Sequence, residues 1–143
     1  MIAHTATCIA IGGRGLLIEG ESGAGKSNLA LALIDRGARL VGDDGVMLDT
    51  AGDRLFASPH PNTRGLLEVR NVGLVPLDPV ERVPVCLLVM LCTRAPRFIE
   101  GPEQVQRAGA RLPLVRLWPD SPVLALRAEM ALGLHGLPLP ATG

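Results

Sequence analysis

Residues 20–27 read GESGAGKS, which satisfies the pattern G-x-x-x-x-G-K-[ST] through Gly20, Gly25, Lys26 and Ser27, with a further glycine at Gly23. Each residue type has a physical reason. Glycines accept the positive φ angles that turn consecutive backbone N–H groups inward as an anion nest, and a helix starting at the loop adds its partial positive charge. Lys26 would contact the outer phosphates of a nucleoside triphosphate, and the Ser27 hydroxyl would take one Mg²⁺ position. The expected contacts to bound ATP are therefore Gly20, Glu21, Ser22, Gly23, Ala24, Gly25, Lys26, Ser27 and Asn28. With usage near 7% for the fixed residue types, chance matches occur in on the order of half a percent of chains this long. A strand candidate before the loop and a helix candidate after it lower that further.

A phosphoryl-transfer site also needs carboxylates near the phosphates, and phosphate-loop hydrolases place a metal-side Asp at the end of an apolar strand. The most apolar run, VCLLVMLC, is followed by Thr93 and has no acid at its end. The stretch ARLVGDD does, as the pair Asp43 and Asp44. In extended backbone the two side chains would point to opposite faces, one toward metal and phosphates and the other toward an incoming hydroxyl; a turn would bring both to one site.

The elements that must position these groups follow from periodicity. TATCIAI and LLIE around GGRG predict a hairpin leading into the octet. KSNLALALIDRG has helical apolar spacing and stops at Gly37. ARLVGDD reads as the next strand, and GVMLD and RLFAS around TAGD as a hairpin. LLEVR is a short strand, NVGLVPLDPVERVP irregular, and VCLLVMLC a buried central strand. TRAPRFIEGPEQVQRAG reads mostly as loop with one helical turn, before LPLVRLW as a last strand. SPVLALRAEMALGLH offers Ser121 as N-cap, a first-turn proline and helical spacing; the tail GLPLPATG is expected to fray.

These elements fit one domain over residues 1–143, which is large enough to bury roughly 68% of the unfolded surface. The 14 basic and 14 acidic residues cancel and are scattered singly, leaving no footprint for nucleic acid. Cys8, Cys86 and Cys92 lie in apolar runs without metal-ligand spacing, which suits free thiols in a reducing cytoplasm. The longest apolar run, from Val85 to Cys92, falls far short of the ~20 residues of a spanning helix. No membrane partner and no targeting segment are expected.

Taken together, GESGAGKS, LIDRGARLVGDDGV and LLEVRNVGLV resemble the catalytic domain of the HPr kinase/phosphorylase family, especially its short forms without an N-terminal domain. The resemblance implies an α/β P-loop domain with a mixed sheet akin to phosphoenolpyruvate carboxykinase, a central P-loop helix and a C-terminal helix. It implies phosphorylation of a serine of the phosphocarrier protein HPr from Mg-ATP, removal of that phosphate by inorganic phosphate to give pyrophosphate, and a homo-oligomer, hexameric in the family. Lys26 and Ser27 match residues that bind phosphate and Mg²⁺. Asp43 and Asp44 match the acid pair that supplies the base toward the serine hydroxyl, and interacting carboxylates titrate as a pair. His4 matches a histidine that opens the first catalytic-domain strand near the acids. Glu68 matches the metal-holding acid of the signature E-[IV]-R-G-x-G, and Arg70 its arginine. Asn71 stands where that signature has glycine, and Asn is the next most tolerant residue for a left-handed backbone.

Two other readings use the same loop. A small-metabolite kinase would need a substrate clamp, for which Arg64, Arg94 and Arg97 are available. A nucleotide sensor would bind ATP without turnover; Asn71 and the expected lack of regulatory parts favour it, while the acid pair and Glu68 speak against it.

Overall fold

The computed structural model describes residues 1–141. Its elements in chain order are β1 (Ile2–His4), β2 (Thr7–Ile11), β3 (Arg14–Glu19), α1 (Lys26–Asp35), β4 (Arg39–Gly42), β5 (Val46–Ala51), β6 (Arg54–Pro59), β7 (Leu66–Val69), β8 (Gly73–Pro76), β9 (Val83–Leu91), β10 (Glu103–Arg107), β11 (Ala110–Leu117) and α2 (Leu124–His135). Nine strands form one mixed sheet in the order β1-β5-β6-β9-β3-β2-β4, and β11 attaches to β9 with β10 outside it. Strands β7 and β8 form a separate antiparallel pair.

Strand β9 is the branch point. One edge pairs parallel with β3. The other takes β6 antiparallel at Val83 and Pro84 and β11 parallel from Leu88 to Leu91. Serving two strands on one edge makes the sheet curl, so that β9 is covered on both faces and can be apolar along its length. The core is divided accordingly. Ile9, Leu16, Ile18, Leu87 and Val89 pack under α1 and α2 through Leu29, Leu33, Ala128 and Leu132. Cys8, Leu17, Val41, Leu48, Leu55 and Leu88 fill the opposite side, inside the curl. Each fully buried aliphatic side chain contributes about 1.5–3 kcal/mol by transfer from water.

The parallel trio β3, β9 and β11 brings three strand ends, at Glu19, Leu91 and Leu117, to one edge of the sheet. Helix α1 starts one short loop beyond β3, so its N-terminus opens at that same edge. Among the described residues no helix is long and apolar enough to cross a membrane.

Three segments differ from the sequence-based expectation. Residues 73–76 form β8, which pairs with β7 (Leu67 opposite Val75) where irregular chain was expected. Residues 103–107 form β10 instead of a helical turn; the alternating EQVQR pairs in register with β11 (Val105 opposite Leu112). Ser121 is not the N-cap of α2, which starts from Val123; its hydroxyl accepts from the Val123 amide one turn earlier.

The expected fraying also fails for the first part of the tail, while Thr142 and Gly143 lie outside the described residues. The Leu137 amide donates to the Cys86 carbonyl at 2.8 Å. Arg14 donates to the Leu137 carbonyl at 2.7 Å and to the Leu132 carbonyl at 3.2 Å, and Arg54 donates to the Pro138 carbonyl at 2.8 Å. Two guanidiniums thus hold the carbonyls of the chain just beyond α2 through charge-assisted hydrogen bonds. Replacing Arg14 by Ala removes charge-assisted hydrogen bonds and should cost about 1.5–3 kcal/mol. Urea unfolding should show that loss together with faster hydrogen exchange at the Leu137 amide; unchanged exchange there would contradict the anchoring role.

Candidate active site

The glycine loop is tight and left-handed where the chain must enter the helix. Gly25 caps α1 at φ 105°, a conformation strained for any residue with a Cβ. No side chain among the described residues caps this helix, so its first amides face outward at the positive end of the helix dipole. Lys26 folds back over the loop, its Nζ donating to the Gly20 and Glu21 carbonyls at 3.1 Å each.

The acid pair follows β4 in a turn. A Cβ on Gly42 would stand 2.6 Å from the Gly45 carbonyl oxygen, so this turn closes only with glycine there. Asp44 takes φ 57°, a left-handed conformation that Asp tolerates better than most residues. The pair therefore does not continue the extended strand, and the turn separates the roles of the two side chains.

Asp43 points inward and is 5% exposed. Its Oδ1 accepts from the Ser27 hydroxyl at 2.6 Å and from the Thr7 hydroxyl at 3.1 Å, and its Oδ2 accepts from the Glu68 amide at 2.9 Å. A buried carboxylate is tolerable when hydrogen bonds replace its lost water, and three donors do so here. Thr7 also accepts from the Asp44 amide at 3.2 Å, which fixes the next residue.

Asp44 instead faces a cavity of about 450 Å³ lined by Gly20, Ser22, Gly23, Gly25, Lys26, Ser27 and Asn28 from the loop and helix start, with Thr5, Glu68 and Arg70 opposite. Glu68 and Arg70 arrive on the β7–β8 hairpin, whose turn uses Asn71 at φ 70°. Asn thus supports the left-handed turn expected of glycine at that place.

Adjoining this cavity, and sharing Thr5, Gly20, Ser22 and Gly23 with it, lies a wider recess of about 870 Å³ formed with residues just beyond β9 and β11. Glu21 and Ala24 line it. All nine expected nucleotide contacts thus border one or the other cavity.

His4 is bonded to Glu19, with Nε2 2.7 Å from Oε2, and makes no hydrogen bond to either acid of the pair among the described residues. Glu19 also receives two hydrogen bonds from Arg107, at 2.8 and 2.9 Å. One carboxylate thereby ties β1 and β10 to the residue immediately before the loop. Of the other residues weighed from sequence, Arg64 pairs with Glu81, the His60 ring accepts from the Asn62 amide, and His135 ends α2. Thr5, Thr7, Glu19 and Arg107 were not anticipated. Thr7 had one legible signal, a hydroxyl inside the apolar run TATCIAI.

Ser27 and Glu68 border the same cavity and carry oxygen donors of the kind Mg²⁺ takes when phosphates and water complete its shell; among the described residues no group of three or more His, Cys, Asp or Glu side chains is placed to hold a metal by itself.

Burial would raise the Glu19 carboxyl, but the hydrogen bonds and charges of Arg107 and His4 outweigh it and hold the group below the ordinary glutamate value of 4.5. A depressed folded-state value means stability that is complete above the unfolded value and is lost as pH falls through the folded one. Unfolding free energy should therefore decline as acidification proceeds below pH 4.5, and Glu19→Gln should flatten that part of the profile. Parallel profiles for the two proteins would remove Glu19 as the cause.

The model for the HPr serine kinase C-terminal domain matches residues 1–80. A curated HPr kinase/phosphorylase of an Exiguobacterium species is 45% identical over 76 residues, 52% of this chain and 24% of that protein. One from Clostridium botulinum is 48% identical over 65 residues, covering 46% and 21%. The chain thus spans about a quarter of the length of the curated relatives it matches. The likeness in three dimensions extends further. The HPr(Ser) kinase/phosphatase structure from Coxiella burnetii superposes with a TM-score of 0.82 at 26% identity over 93% of this chain and 95% of that one. The glycine loop, the acid turn and the β7–β8 hairpin all lie within the matched residues, and the chain belongs to the HPr serine kinase C-terminal domain family.

Proposed function

We propose that the chain is a P-loop catalytic domain that transfers the γ-phosphoryl group of ATP to a serine of the phosphocarrier protein HPr. The observation that carries the reading is the 2.6 Å hydrogen bond from Ser27 to Asp43, which joins the glycine loop to the acid turn while Asp44 and Glu68 face the same cavity. In this reading the amides at the start of α1 and the Lys26 ammonium hold the phosphates. Asp44 accepts the proton of the serine hydroxyl as that oxygen bonds to the γ-phosphorus and the bond to the bridging oxygen breaks, leaving ADP.

Asp44 suits the base better than Asp43, which is buried and already accepts three hydrogen bonds. Ser27 and Glu68 would hold Mg²⁺, which supplies charge neutralisation on the phosphates. Positioning and charge carry most of the rate in this chemistry.

The reverse reaction uses the same groups. Inorganic phosphate attacks the phosphoserine phosphorus, the serine oxygen leaves with the proton held on Asp44, and pyrophosphate forms. Self-association belongs to the same reading, and α2 offers Met130 and Leu134, 65% and 80% exposed, as an apolar face for it.

Incubation with Mg-ATP and HPr should add one phosphate to a carrier serine, read by mass. Asp44→Asn should slow this by about 10²–10⁴-fold, the usual contribution of a positioned base, and Lys26→Ala should abolish it. Nucleotide binding without transfer to HPr would overturn the kinase assignment in favour of a sensor.

A further inference from the structure

We propose that residues 136–139 form a strap that opens as a unit while the rest of the domain stays folded, and that the strap closes only while Cys86 beneath it remains a free thiol.

The strap follows α2 and crosses the early part of β9, whose far end carries Leu91 at the glycine-loop edge. Its attachments are few. The Leu137 amide donates to the Cys86 carbonyl at 2.8 Å, the one backbone bond from strap to sheet among the described residues. Pro138 has no N–H with which to add another, so the Leu137 and Pro138 carbonyls are held by the side chains of Arg14 and Arg54 instead. Leu137 packs against the core, whereas Leu139 is 52% exposed. A segment with so little buried apolar area opens locally, at less cost than unfolding the domain.

Beneath the strap these attachments meet at one sulfur. Cys86 Sγ stands 3.5 Å from Arg54 Nη2, and 3.6 and 3.8 Å from the Pro84 and Pro138 carbonyl oxygens. At such distances a group added to the sulfur needs one neighbour to move. Pro84 is fixed within β9 and Arg54 within β6, which leaves the strap as the piece that can withdraw. Arg54 then loses the Pro138 carbonyl, and its Nε is already buried without a partner among the described residues. An acidic group carried on the sulfur would replace that carbonyl as acceptor through a charge-assisted bond. Modification thus removes the closed form and supplies the open form with a contact of its own.

Cys8 provides an internal reference. Both Cys8 and Cys86 are 0% exposed. Cys8, however, lies on β2 between β3 and β4 and faces the core on the other side of the sheet. Burial alone treats the two thiols alike, and only a strap separates them.

A Cys92→Ser protein retains just these two thiols and can be treated with a carboxylate-bearing aromatic disulfide. The Cys86 sulfur attacks one sulfur of the reagent, whose S–S bond breaks as the mixed disulfide forms; an aromatic thiolate leaves and the Cys86 proton passes to solvent. Without denaturant, Cys86 should react at least about tenfold faster than Cys8, the equivalent of ~1.4 kcal/mol, with the sites identified by mass. Low urea should change the Cys86 rate little, while the Cys8 rate should climb steeply because exposing that thiol unfolds the domain. In protein modified at Cys86 alone, hydrogen exchange at the Leu137 amide should quicken at least about tenfold and the β2 and β3 amides should keep their protection. Equal rates or a common urea dependence for the two thiols, reaction at neither before unfolding, or unchanged exchange at Leu137 after modification would overturn the inference.

Discussion

A carboxylate almost sealed from water is the constraint around which this site is arranged. Asp43 is 5% exposed, and charge at that depth persists only where hydrogen bonds replace hydration. Its donors come from three elements: Thr7 on β2, Ser27 on α1 and the Glu68 amide on β7. Hydrogen bonds to an ionised acceptor are about twice as strong as neutral ones, so each of those elements is held in position relative to the others. Thr7 then extends the network to the Asp44 amide. The orientation of the exposed acid is thus a consequence of how the buried one is satisfied.

The branching of the sheet at β9 supplies the second condition. Because β3, β9 and β11 run parallel, their ends and the N-terminus of α1 open on one edge. The glycine loop lies along that edge and borders two adjoining cavities, one lined by Asp44 and Glu68 and one by the residues beyond β9 and β11. Glu19, at the last position of β3, is braced by His4 and Arg107, so the start of the loop inherits the rigidity of the sheet.

Much of this was legible in the sequence because its signals are local. The helix after the loop, the hairpins at GGRG and TAGD, and the apolar run that becomes β9 each carry their own periodicity or turn chemistry. Strands β8 and β10 did not. GLVP and EQVQR have weak intrinsic preference and become strands because partners, β7 and β11, are present to pair with them; such tertiary override is the ordinary limit of propensity. The tail was misjudged for the same reason. Nothing in GLPLP announces that Arg14 and Arg54, more than 80 positions earlier, will bind its carbonyls.

By itself, then, the sequence determined the glycine loop, the helix that follows it, the acid pair at a strand end and the short strand carrying Glu68, since each is specified by residues within a few positions of one another. Asn71 illustrates how far that goes, because a residue tolerant of left-handed backbone is enough to keep the turn. Only the tertiary structure decided which acid is buried and which faces the cavity, and that His4 is engaged by Glu19. Those outcomes depend on contacts between residues 36 apart for Thr7 and Asp43 and 88 apart for Glu19 and Arg107. No local preference encodes them; they exist because the curled sheet brings distant polar groups together, in the case of Asp43 where little water reaches.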